Sequence, residues 1–156
     1  MPMTREPHIH VSLASQSLEL HDGNALLRRY PVSTSRFGPG FQEGSYRTPL
    51  GAFRICERFG DGAPLGTIFR ARQPVGLWEP GQPGDHDLVL TRILRLEGLE
   101  KTNANTYRRY IYIHGTNHED LLGSPASMGC VRMANRDILE LFDFAPLLTP
   151  VTIRPE

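Results

Sequence analysis

The residues best equipped for chemistry are Cys130 and His114. A cysteine thiol becomes a useful nucleophile when a nearby histidine draws off its proton and stabilises the thiolate. His114 ends the alternating run Tyr110-Ile-Tyr-Ile, so a strand would hold its imidazole in place. Gly115 follows, and a residue without Cβ lets the backbone turn away sharply. If the next connection folds back, Cys130 can lie beside His114. Gly129 removes side-chain bulk where a carbonyl oxygen would approach the N–H groups of Gly129 and Cys130. Two such donors are what an oxyanion hole requires. Asn135, a good helix N-cap shortly after the cysteine, would add a modest positive dipole. The chemistry implied is acyl transfer through a thioester.

Other readings of the same residue types are plainer. Cys56 lies in an alternating segment and reads as a small buried hydrophobe. His114, His118 and Cys130 could contact zinc, but a structural zinc site normally takes four protein ligands. No fourth ligand stands at a suitable spacing, so neither metal nor cofactor is expected. Arg132 could pair with an acidic neighbour such as Asp137 instead of meeting a ligand. His8, His10, His21 and His86 sit in polar or terminal contexts and read as ordinary surface residues.

The elements that must position this chemistry are mainly strands. Ile9, Val11 and Leu13 alternate with polar residues, and Leu18 and Leu20 resume the pattern, which predicts a hairpin with one buried face. Asp22-Gly23 is a turn signal leading to a strand over Leu26 to Thr34. Ser35 to Gly51 holds four glycines and two prolines and suits a long irregular loop. Strands are expected again over Ala52 to Phe59, Leu88 to Leu96, Arg109 to Ile113 and Thr149 to Ile153. The stretch Gly60 to Gly84, with Trp78 in its midst, reads as a loop that either covers a pocket or packs on the surface. One helix is predicted after Asn135, with Ile138, Leu141 and Phe142 as its apolar stripe. The fold expected is a single, mainly β domain with one short helix. Residues 1–8 are expected to form a disordered tail and residues 9–156 the domain.

The chain has 156 residues, enough for one domain with a proper core. Lysine plus arginine and aspartate plus glutamate number 17 each, which removes the electrostatic case for a nucleic-acid partner. Lys101 is the sole lysine, and arginine is the better reader of carboxylates because its planar fork bonds bidentately. No apolar run is long enough to predict membrane insertion. The start of the chain also lacks the apolar segment of a secretory signal, so a cytoplasmic location is expected, or a periplasmic one if the chain is part of a longer protein.

The segment Tyr110 to Met133 reads Tyr-Ile-Tyr-Ile-His-Gly-Thr-Asn-His, a turn-rich connection, then Ser-Pro-Ala-Ser-Met-Gly-Cys-Val-Arg-Met. This resembles the catalytic segment of the L,D-transpeptidase (YkuD-type) family, His-Gly-Thr-Asn followed by Ser-X-Gly-Cys-Val-Arg-Met. Tyr30-Pro-Val-Ser-Thr-Ser and Gly44-Ser-Tyr-Arg-Thr-Pro-Leu-Gly-Ala-Phe-Arg look like that family's N-terminal half, so the resemblance spans about Ile9 to Ile153. It implies a β-sandwich-like fold whose cysteine attacks the bond between the L-centre of a diamino acid and the terminal D-alanine of a peptidoglycan stem tetrapeptide. It makes Cys130 the nucleophile and His114 the base, oriented by the backbone carbonyl of Gly115. Arg132 would anchor a substrate carboxylate. Tyr112, Asn117, His118, Ser127 and Met128 would line the pocket. The family usually has histidine where this chain has Met128, which puts any contact of that imidazole in doubt.

The thioester has two fates. Water gives an L,D-carboxypeptidase of muropeptide recycling, the outcome favoured by a cytoplasmic location. An amine gives an L,D-transpeptidase that cross-links peptidoglycan. A scaffold that binds wall peptides without turnover is the rival from another class. The resemblance further implies that carbapenems acylate Cys130.

Overall fold

The computed structural model describes residues 5–82, 84 and 86–156. Its strands are β1 (Pro7–Ser12), β2 (Ser17–Asp22), β3 (Ala25–Ser33), β4 (Gly51–Phe59), β5 (Thr67–Arg70), β6 (Gln73–Leu77), β7 (Val89–Gly98), β8 (Tyr112–Gly115), β9 (Val131–Met133) and β10 (Pro150–Arg154). One α-helix, α1 (Asn135–Phe144), lies between β9 and β10. The sheet order is β4-β10-β1-β2-β3-β9-β8-β7-β5-β6, and β4 also pairs with β7. That extra pairing closes the sheet into a barrel-like sandwich, with β5 and β6 as a hairpin hung on β7. Closure removes the edge at β4 and leaves β6 as the free edge.

The alternation read from the sequence is what fills the interior. Ile9, Val11, Leu18 and Leu20 are buried, while His8, His10 and Glu19 point outward from the same two strands. Gly23, at a left-handed φ of 58°, makes the tight turn into β3. Helix α1 packs on β7 and β8. Ten residues are too few for a helix to persist alone, so burial of Ile138, Leu141 and Phe142 holds it. Each contributes about 1.5–3 kcal/mol.

Two expectations are corrected. Residues 5–8 are not a tail: Pro7 and His8 pair with Asp22 and His21, and the N–H groups of Arg5 and Glu6 donate to Asp22 Oδ1. Residues 1–4 lie outside the described residues. The stretch 60–84 is not one loop, because Thr67 to Arg70 pairs with Gln73 to Leu77. The outward histidines of β1 and β2 cluster: His8, His10 and His21 pack with ring centroids 4.9–5.1 Å apart.

Candidate active site

Strand β9 is the element that makes the site. It is only three residues long and runs parallel to β8, with Ile113 opposite Val131 and His114 opposite Arg132. Ile113 and Val131 point into the core. By alternation, Tyr112 and His114 share the other face with Cys130 and Arg132. The thiol is tied at both ends: the Tyr112 N–H donates to Sγ at 3.3 Å, and Sγ donates to the Tyr110 carbonyl at 3.3 Å. His114 is buried, and its Nδ1 lies 2.6 Å from the Gly115 carbonyl. A carbonyl can only accept, so Nδ1 carries the proton and Nε2 keeps its lone pair.

Gly115 does not turn the chain, since it is the last residue of β8. It is glycine because there is no room: a Cβ there would meet Asn135 Oδ1 and the Leu90 carbonyl at 2.4 and 2.7 Å. Asn135 is not the N-cap either. It is the first residue of α1, and its side chain accepts from Thr91 Oγ1 at 2.7 Å and donates to the Thr116 carbonyl at 2.9 Å. Thr91, at φ 73°, sits in a bulge of β7 opposite His114 and Gly115. A left-handed β-branched residue is strained, and here the tertiary hydrogen bonds over-determine it. The helix start, the bulge and the histidine are thus one braced unit.

On the other side of the thiol, Gly129 has φ 123°, a conformation that suits glycine. Its carbonyl accepts from Thr48 Oγ1 at 3.0 Å. Its N–H donates to Ser127 Oγ at 3.2 Å, and the same hydroxyl donates to the Cys130 carbonyl at 2.7 Å. Ser127 is fully buried. It is therefore a clip inside the elbow that presents Cys130, away from any ligand. The Gly129 N–H, one of the two donors expected for an oxyanion, is already engaged by the Ser127 hydroxyl.

A cleft of about 550 Å³ opens beside the elbow, lined among others by Arg36, Asp87, His118, Met128 and Arg132. Arg132 is buried and pairs with Asp87 at 3.0 Å, not with Asp137. Its Nε and Nη1 are buried without a partner among the described residues. Asn117 braces the cleft from behind. It accepts from the Leu88 N–H and donates to the His86 carbonyl, both at 2.9 Å, which pins the segment carrying Asp87. Met128 is 39% exposed and stands between this cleft and a hollow on the Tyr110 side. Asp87 is not legible in the sequence as a site residue, because only the fold brings it to Arg132.

Burial pushes the Cys130 thiol up to about 11, against the pull of the Tyr112 N–H, Arg132 and Arg109. Cys130 keeps part of its surface open to solvent, and the protein packed around the sulfur still outweighs that opening. Burial also lowers the His114 imidazole, against the opposing influence of Asp87 and the Gly115 carbonyl. Burial thus disfavours the charged form of each group, which works against a preformed thiolate–imidazolium pair. Among the described residues, no group of three or more His, Cys, Asp or Glu side chains is placed to hold a metal ion.

The family model for the YkuD L,D-transpeptidase catalytic domain matches residues 6–153. The chain belongs to this family. Membership supports a peptidoglycan-acting enzyme of the L,D-transpeptidase kind. Among curated proteins, the YkuD protein of Bacillus licheniformis is 30% identical over 155 residues, covering 99% of this chain and 69% of that one. Among solved structures, an L,D-transpeptidase from Xylanimonas cellulosilytica superposes with a TM-score of 0.63 at 18% identity. The match covers 99% of this chain and 64% of that one. L,D-transpeptidase 3 from Mycobacterium tuberculosis, solved with a faropenem-derived adduct, gives 0.60 at 15% identity, covering 95% of this chain and 60% of that one. At such identities the structural likeness speaks for the fold, and this chain spans less than two thirds of either structure.

Proposed function

We propose that the chain cleaves the bond between the L-centre of a diamino acid and the terminal D-alanine of a peptidoglycan stem tetrapeptide, through a thioester on Cys130. The observation that carries this reading is the shared face of β8 and β9. There Cys130 stands beside a histidine whose Nδ1–H is held by the Gly115 carbonyl, which leaves Nε2 as the base. As the sulfur attacks the scissile carbonyl, Nε2 takes the thiol proton, so charge develops only in the transition state. The Cys130 N–H faces the resulting oxyanion. The imidazolium then gives its proton to the departing D-alanine amine, leaving the thioester. His114 next takes a proton from water, hydroxide adds to the thioester, and the sulfur leaves with that proton. Arg132, which lines the cleft beside Cys130, is the group we assign to a substrate carboxylate.

Water is the acceptor we favour, because an enzyme that meets soluble recycled muropeptides meets water in great excess over any acceptor amine. That makes the chain an L,D-carboxypeptidase acting where recycled muropeptides are soluble. Transpeptidation is the second reading, and the separate clefts on either side of Met128 give it room for donor and acceptor strands. Mass spectrometry of a tetrapeptide incubated with the protein separates them. Free D-alanine and tripeptide support hydrolysis. A cross-linked dimer as main product overturns it in favour of transpeptidation, and no reaction favours a wall-peptide binding module. The same thiol should open a carbapenem ring, giving an adduct on the wild type and none on Cys130→Ala.

A further inference from the structure

The tip of the β5–β6 hairpin is built at a conformational cost. Its two turn residues, Ala71 and Arg72, have φ of 48° and 64°. Tight hairpin turns of this kind favour Asn-Gly, because left-handed backbone costs a residue with Cβ about 1–2 kcal/mol. What that backbone achieves is the placement of Arg72. Its Nη1 donates to the Tyr112 hydroxyl at 3.1 Å, and its guanidinium lies 5.3 Å from the centre of the Tyr110 ring. Among the described residues no carboxylate lies within ion-pair distance of it. The neighbouring Arg95 differs: it stacks on Tyr107 at 3.5 Å, and Glu57 neutralises it at 3.0 Å.

Arg72 lines a cleft of about 290 Å³ together with Phe69, Val89, Ile93, Tyr110 and Tyr112. Cys130 packs against the same apolar cluster. Tyr112 measures the distance between the two: its backbone N–H touches Sγ and its phenol touches Arg72. The guanidinium, with no carboxylate partner among the described residues, therefore lies one long side chain from the nucleophile, along an apolar wall. We infer that Arg72 is a specificity-determining residue that reads a carboxylate at the end of the diamino acid's aliphatic side chain, so that a dicarboxylic diamino acid is preferred to lysine. The inference rests on the proposed tetrapeptide cleavage. Methylenes of the side chain would run over Phe69 and Ile93, and the terminal carboxylate would take the N–H groups of Arg72 not engaged by Tyr112.

The test uses two tetrapeptides that differ only at the third residue, meso-diaminopimelate in one and lysine in the other. Wild-type protein is compared with Arg72→Ala and Arg72→Gly. Loss of a charge-assisted hydrogen bond should lower kcat/KM on the diaminopimelate peptide by about 10- to 100-fold while leaving the lysine peptide within about twofold. Arg72→Gly also relieves the left-handed backbone, so it should lose the preference with no fall in melting temperature. Equal losses on both peptides, or no loss on either, would overturn the inference while leaving the cleavage reading intact. If wild type cleaves neither peptide, the cleavage reading falls and the inference falls with it.

Discussion

Raising the pH tests whether the nucleophile rests as a thiol. With burial pushing Cys130 up to about 11, about one thiol in ten thousand is ionised at pH 7. A free thiol near 8.5 is a few per cent ionised at that pH, so the site holds about 300-fold less thiolate. The assay is alkylation by iodoacetamide in a Cys56→Ser background, which leaves Cys130 as the single thiol. The rate should climb about tenfold per pH unit from 7 to 10 without a plateau. The same shift makes a stability statement. Folding favours the protonated thiol, so its contribution is intact below the unfolded thiol's range and is lost as pH rises through about 11. The loss amounts to about 1–3 kcal/mol once the open side of the thiol is allowed for, and Cys130→Ser should abolish it. A plateau in alkylation with an inflection between pH 5 and 8 would refute the reasoning, because it would show a thiolate–imidazolium pair at rest.

Asp87→Asn removes the negative charge that raises the His114 imidazole. His114 must be neutral to act as base, so the acid limb of kcat/KM should move to lower pH; a shift to higher pH would contradict the electrostatics. The same change leaves the buried Arg132 without its ion pair, at a cost of about 1–3 kcal/mol in thermal unfolding. Gly129→Ala forces a side chain onto φ 123° with its Cβ 3.4 Å from the Arg47 carbonyl. It should destabilise the protein by about 1–3 kcal/mol and depress turnover, whereas an unchanged melt would show that the elbow is not strained.

The candidate nucleophile and base are legible in the sequence because they sit in a short segment whose neighbours suggest such a pairing. His114 ends an alternating run, and Cys130 follows a glycine that the backbone needs at φ 123°. Their meeting is not legible, since β9 is three residues long and is defined by its partners β8 and β3. The β5–β6 hairpin is hidden for a related reason. Pro74 and Gly76 read as loop punctuation, and the turn is made by Ala71 and Arg72, which carry no turn signal. Asn135 reads locally as a cap, but its side chain is claimed by Thr91 and Thr116 from other elements. Ser127 reads as a pocket residue because the motif contains it, and only its burial shows that its hydroxyl serves the elbow.

The central claim is a covalent intermediate on one sulfur. Intact-mass spectrometry of wild type, Cys130→Ala and His114→Ala, quenched in acid during turnover of a tetrapeptide, tests it most directly. The account predicts an adduct equal to the tetrapeptide minus D-alanine, mapped to Cys130 in the wild type and absent from Cys130→Ala. It should be strongly reduced in His114→Ala. Release of D-alanine by Cys130→Ala at the wild-type rate would contradict it.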